Sequence, residues 1–149
     1  MLTVLPTPYP DNLIPFGLEH CTNLKSIRFD CIPLWHPTGR ARRRKWVPDI
    51  LAQVTSCVVT ELVFTLEVRR EEQWYPDISD QLDSFDWSGV IDVLHSQFDQ
   101  LRRVCVALSC ENHVYPTVSR LVREDRFRDL HDQEILFVEN IGVARRCGG

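Results

Sequence analysis

Val59-Thr60-Glu61-Leu62-Val63-Phe64-Thr65-Leu66 and Leu101-Arg102-Arg103-Val104-Cys105-Val106-Ala107-Leu108 carry one apolar code twice. In each, an apolar residue sits three places ahead of a strict alternation. The alternating residues are Leu62, Phe64 and Leu66 in the first stretch and Val104, Val106 and Leu108 in the second. Period-two alternation marks a strand with one buried face. Leu24-x-x-Ile27-x-Phe29 shows the same code in shorter form, and Glu134 to Val138 reads as a fourth strand.

Between these strands the period changes. Val47, Ile50, Leu51 and Val54 fall at i, i+3, i+4 and i+7, which predicts a helix from Trp46 to about Thr55. Pro48 and Asp49 suit its first turn. Trp87, Val90, Ile91, Leu94 and Phe98 line one face of a second helix, with Asp86 or Ser84 as its cap. A third, from Thr117 to Asp132, offers Val118, Leu121, Val122 and Leu130 for burial. Arg69 to Phe85 reads as a polar, acidic loop. The implied order is β, α, β, α, β, α, β, and helical connections between strands favour a parallel sheet.

Two architectures use that order. A doubly wound sheet buries both faces of its strands under helices. A leucine-rich, solenoid-like array keeps its helices on one side, and each unit stacks on the next to bury its apolar face. Glu61, Thr65 and Glu67 lie opposite the apolar row of the second strand, and Arg102-Arg103 opens the third. Amphipathic strands favour the array. The fold expected is therefore α/β, an irregular leucine-rich-repeat-like solenoid fragment with a small parallel sheet and helices on one side. Residues 1–19, with four prolines, form an irregular leader, residues 20–141 the domain, and residues 142–149 a flexible tail.

Size and charge set further bounds. The 149 residues are 44% hydrophobic and 26% charged, enough for one domain with a real core and against disorder. Net charge is −4 and the isoelectric point near 5.7, so no global field draws nucleic acid or an anionic membrane. No apolar run approaches the roughly 20 residues of a membrane span. The first ten residues carry neither a secretory nor a transit pattern, which makes a cytoplasmic or nuclear location the default. With that compartment, the six cysteines are expected to be thiols. Arg40 to Lys45 is a basic cluster, and eight acidic residues with no Lys or Arg occupy 71–100. Mutual neutralisation of these blocks is favoured over a nucleic-acid patch or a nuclear-localisation signal.

Reactive constellations are sparse. His20, Cys21, Cys31 and His36 lack the tight Cys-x2–4-Cys knuckle of structural zinc sites, so no metal is expected. Cys105 with His95 or His113 would be a thiol–imidazole pair, but nothing nearby supplies an oxyanion hole. No glycine-rich phosphate loop and no Gly-x-Ser-x-Gly elbow occur, and no cofactor is implied. Asp83/Asp86 and Glu71/Glu72 read as solvated carboxylates and a helix cap. Phe64, Trp87 and Phe98 stand at core spacings, while Trp35, Trp74 and Tyr75 fall in loops.

Four segments also carry a family resemblance: Trp46 to Leu51, Val59 to Phe64, Leu82 to Asp92 and Phe98 to Val104. Phe85-Asp86-Trp87 and the strand with Glu61-Leu62-x-Phe64 weigh most. Together they resemble the C-terminal region of mushroom-type fungal F-box proteins, a degenerate leucine-rich array, over roughly Leu24 to Val138. The resemblance implies a protein-interaction module, the substrate-recognition part of a ubiquitin-ligase adaptor. Leu5-Pro6 is not followed by an F-box helix pattern, so a Skp-type adaptor would be a partner only through an F-box upstream. The array is irregular: Ile27, Leu62, Val104 and Leu136 are spaced more widely than the roughly 20–29 residues of regular repeats. The usual repeat-ending Asn is replaced by Ile32, Glu67 and Ser109.

The protein-binding row expected from alternation is Arg28, Glu61, Val63, Thr65, Glu67, Arg103, Cys105 and Ala107, with an unnamed protein as partner. A competing reading is a small doubly wound enzyme with a pocket at the strand carboxyl ends near Ser109 and Glu139. A third is a non-functional truncated fragment, its Leu24–Phe29 edge covered only by the leader.

Overall fold

The computed structural model describes residues 2–4, 23–34, 46–55, 58–69 and 77–143. Within them, β1 (Leu2–Val4), β2 (Ser26–Pro33), β3 (Glu61–Glu67), β4 (Arg103–Ser109) and β5 (Leu136–Asn140) form one sheet. The strands lie side by side in chain order and every neighbouring pair is parallel. Helices α1 (Trp46–Ala52), α2 (Ile78–Asp83), α3 (Trp87–Gln97), α4 (Tyr115–Leu121) and α5 (Arg128–Asp132) occupy the connections. The protein is α/β, a small parallel sheet with helices.

The register follows the apolar code. Ile27, Leu62, Val104 and Leu136 are consecutive cross-strand partners, and Phe29, Phe64, Val106 and Val138 form the next rung. These rows are the floor of the core, and the buried helix residues pack onto them: Val47, Ile50, Leu51, Val90, Leu94, Val118 and Leu130. Burying alternate residues on one side explains why the strands tolerate Glu and Arg between them.

Aromatic rings join the layers. Phe64 sits at the centre, stacked on Phe29 at 5.3 Å between centroids and met edge-on by Phe85 at 5.9 Å. Phe127 lies 6.4 Å from it, and Trp87 touches both Phe85 and Phe127 at 4.7 Å. The Trp87 indole N–H donates to the Leu82 carbonyl at 2.6 Å, so this buried ring keeps its polar atom satisfied. Asp86 is the α3 cap, its carboxylate accepting from Gly89 N at 3.1 Å. A Cβ on Gly89 would collide with that carboxylate, so the helix entry holds a glycine.

Four local features differ from the sequence reading. Leu2–Val4, inside the stretch read as an irregular leader, is a strand, paired Leu2 to Ile27 and Val4 to Phe29. The first predicted strand runs on to Pro33 through a bulge: Phe29 partners Phe64, but Ile32 partners Leu66. The extra residue returns Ile32 to the buried row, which simple alternation misses.

The supposed acidic loop contains α2. Asp77 caps it, accepting from Asp80 N at 2.8 Å. Buried Gln81 reaches the chain leaving β3, accepting from Arg69 N at 2.9 Å and donating to Arg69 O at 2.7 Å. Six residues are too few for a helical period to show.

The third helix breaks into α4, a π turn (Val122–Arg126) and α5. Phe127 N donates to Val122 O at 2.8 Å across the widened turn. A regular helix continuing from Val118 and Val122 would bury Asp125 or Arg126 next. The extra residue rotates Phe127 and Leu130 inward instead. α5 then ends in a Schellman-type turn, with Ile135 N donating to Leu130 O and Glu134 N to His131 O. Glu134 holds the positive φ (60°) that glycine usually supplies, so no Gly announces the stop.

Candidate functional site

The second row of the sheet, opposite the helical core, is the candidate site. Register places Arg28, Val63, Cys105 and Phe137 on one rung, and Thr65, Ala107 and Glu139 on the next. Glu61 pairs with Arg103 below them and Glu67 with Ser109 above. All eight residues expected from alternation are thus brought onto one face. Thr65, Cys105 and Ala107 are themselves buried and form the floor of this face. None of the eight belongs to the helix-packed core.

Charges on this face are tied to one another. Arg28 Nε lies 2.5 Å from Asp30 Oδ1, and Thr65 Oγ1 donates to the same oxygen at 3.4 Å. Arg103 stands 3.7 Å from Glu61 and its guanidinium lies over the Phe137 ring at 4.7 Å. Arg69 reaches Glu67 at 2.7 Å, and Ser26 Oγ donates to Glu61 at 3.3 Å. Such exposed pairs fix side-chain positions more than they stabilise the fold, at about 0–1 kcal/mol each. Asp30, Phe137 and Glu139 belong to the face as well. Extending the alternation through the bulge and along β5 would have found them.

The Cys105 and Cys110 thiols are protected. Burial is the main cause that raises the Cys105 pKa, and the nearby Glu139 carboxylate, 3.6 Å from Sγ, adds to it. Cys110 is pushed up to about 11, again chiefly by burial and then by Glu111. A thiol of pKa about 11 is thiolate in about one molecule per thousand at pH 8, against about a quarter for a free cysteine. Alkylation of Cys110 by iodoacetamide is therefore expected to run at least about 100-fold slower than that of a free thiol at pH 8. Its rate should climb about tenfold per pH unit between 7 and 9.5. Site-resolved peptide mapping checks this, and a flat pH profile contradicts it.

The described histidines considered as partners of Cys105 are placed otherwise. His113 Nδ1 is 3.3 Å from Glu111, and His95 is exposed on α3, which packs against the opposite side of the sheet from Cys105. At the strand carboxyl ends the described polar groups Ser109 and Glu139 are each engaged within the protein. Buried Ser109 donates to Gly142 O at 2.9 Å, while Glu139 faces Cys105. Doubly wound sheets bind ligands where strand order reverses, and this order has no reversal. A cleft of about 260 Å³ opens among the helices, lined by Asp83, Asp86, Trp87 and Arg126. Arg126 is already held there by Asp83 and by Asp125 at 3.3 Å.

The free edge of β5 is guarded. The Val138 carbonyl accepts from Tyr115 Oη at 3.1 Å and from Arg123 Nη2 at 3.3 Å. Asn140 Nδ2 donates to Asn112 at 3.1 Å. Occupied carbonyls blunt an edge that would otherwise template another strand.

Among the described residues no group of His, Cys, Asp or Glu is placed to hold a metal, and no helix is long and apolar enough to cross a membrane. The basic cluster Arg40–Lys45, Glu71/Glu72, His20, Cys21, His36, Trp35, Trp74 and Tyr75 lie outside the described residues, as does the tail from residue 144. Of the tail, Gly142 is described and tied down: its N–H donates to Asn140 Oδ1 at 2.9 Å. Comparison with known protein families, curated proteins and solved structures finds no match to this chain.

Proposed function

We propose that the protein is an interaction module: a leucine-rich-repeat-like, solenoid-type scaffold with helices over one sheet face and a protein partner on the other. One observation carries the reading. Polar and apolar side chains of four consecutive parallel strands, β2 to β5, meet in register on a face that no described helix packs against. A parallel sheet normally has both faces covered by helices, so a built face on which no described helix packs suits a partner as its cover. The resemblance to the repeat region of mushroom-type F-box proteins points the same way. On that reading the partner is a substrate to be presented to a ubiquitin ligase, with a Skp-type adaptor bound only through a separate F-box.

Binding should fail when the face is rewritten. Full-length Glu67→Lys/Arg103→Glu used as bait is expected to lose at least about tenfold of the partner signal that the parent chain retains. Asp92→Lys, on the exposed side of α3, is the control and should retain it. Equal recovery by all three proteins, all folded by circular dichroism, overturns the proposal.

A further inference from the structure

We infer that β5 supplies a subsite on this face for a basic side chain of the partner protein, carried between two apolar ones. The inference rests on the open face being a docking surface and names the chemistry of what docks. Along β5 the outward residues are Phe137 and Glu139, and the ladder continues to Ile141, whose N–H donates to Leu108 O at 2.9 Å. Phe137 is 46% exposed and Ile141 48%, two of the three large apolar residues that the described structure leaves in solvent.

Glu139 stands between them. Elsewhere on the face each charge meets its opposite, Arg28 with Asp30, Arg103 with Glu61 and Arg69 with Glu67. Among the described residues the Glu139 carboxylate has the Cys105 thiol at 3.6 Å and no cation in ion-pair range. Arg103 lies over the Phe137 ring and also acts on the Cys105 thiol. Among the described residues the far end of the face therefore shows a carboxylate without an ion-pair partner, bracketed by apolar surface.

Alternate side chains on a strand are about 6–7 Å apart, the same repeat as in an extended partner segment. A segment with apolar, basic and apolar residues at alternate positions would cover Phe137 and Ile141 while pairing Glu139. An uncharged or acidic segment, or a nucleic acid, would strip water from Glu139 without giving it a counter-charge, which opposes binding.

The test uses the full chain and three fluorescein-labelled, amidated probes, Gly-Leu-Ser-Z-Ser-Leu-Gly with Z as Arg, Glu or Ser. Binding is followed by fluorescence anisotropy at low salt. The parent should favour the Arg probe over the Glu probe by about tenfold, Glu139→Gln should remove the preference, and Glu139→Arg should invert it. Position 139 is exposed, so these variants should melt like the parent. An unchanged probe order in Glu139→Arg, with binding lost in Glu67→Lys/Arg103→Glu, overturns the subsite and leaves the docking face standing. An unchanged order with both variants binding like the parent places the probes elsewhere and overturns both. No preference for Arg over Ser in the parent also overturns the subsite.

Discussion

Phe64→Ala should destabilise the protein by about 3–5 kcal/mol, the largest loss expected from a single substitution here. Phe64 is fully buried where rings from β2, the α2–α3 junction and the turn before α5 converge. Removing it opens a cavity walled by Phe29, Phe85 and Phe127. These belong to separate segments and cannot all collapse into the space. Against a total stability of about 5–15 kcal/mol, the variant approaches the folding threshold. Urea denaturation followed by tryptophan fluorescence should show a much lower midpoint with an unchanged slope. Phe64→Leu, which keeps most of the volume, should lose well under half as much. Equal losses for both would mean that ring packing is not what joins sheet and helices.

Gln81→Leu ranks second, at about 2–4 kcal/mol. The Gln81 amide gives Arg69 both an acceptor and a donor, serving the backbone where β3 has ended. Leucine matches the volume but removes both partners, and each buried polar group so deprived costs about 1–3 kcal/mol. Gln81→Glu can still accept from Arg69 N but cannot donate to Arg69 O, and it adds a buried charge. It should be no better than the leucine variant. Thermal melts rank the three proteins, and a glutamate variant as stable as the parent would remove the two-bond account. Because Glu67 on the open face is paired with Arg69, loosening this junction should also weaken partner binding.

Strand positions were open to sequence reading because burial on one side writes a two-residue period into the chain. Leu62, Phe64, Leu66, Val104, Val106 and Leu108 took the expected side, as did Val47, Ile50, Leu51 and Val54 of α1. The eight residues proposed for the open face followed from the same rule, since the complement of a buried row is an outward row.

Away from the bulge and the π turn, period alone determined which residues face in, which face out and that helices link the strands. Tertiary structure decided the rest, because it depends on groups far apart in the chain. The Leu2–Val4 strand exists by pairing with β2, and no three-residue segment holds a strand by itself. The bulge before Ile32 and the π turn before Phe127 each add one residue so that a distant core contact is kept, which breaks the local period. The setting of Glu139 is likewise a fact of three dimensions: among the described residues Arg103 lies over Phe137 and the Glu139 carboxylate meets a thiol and no cation in ion-pair range.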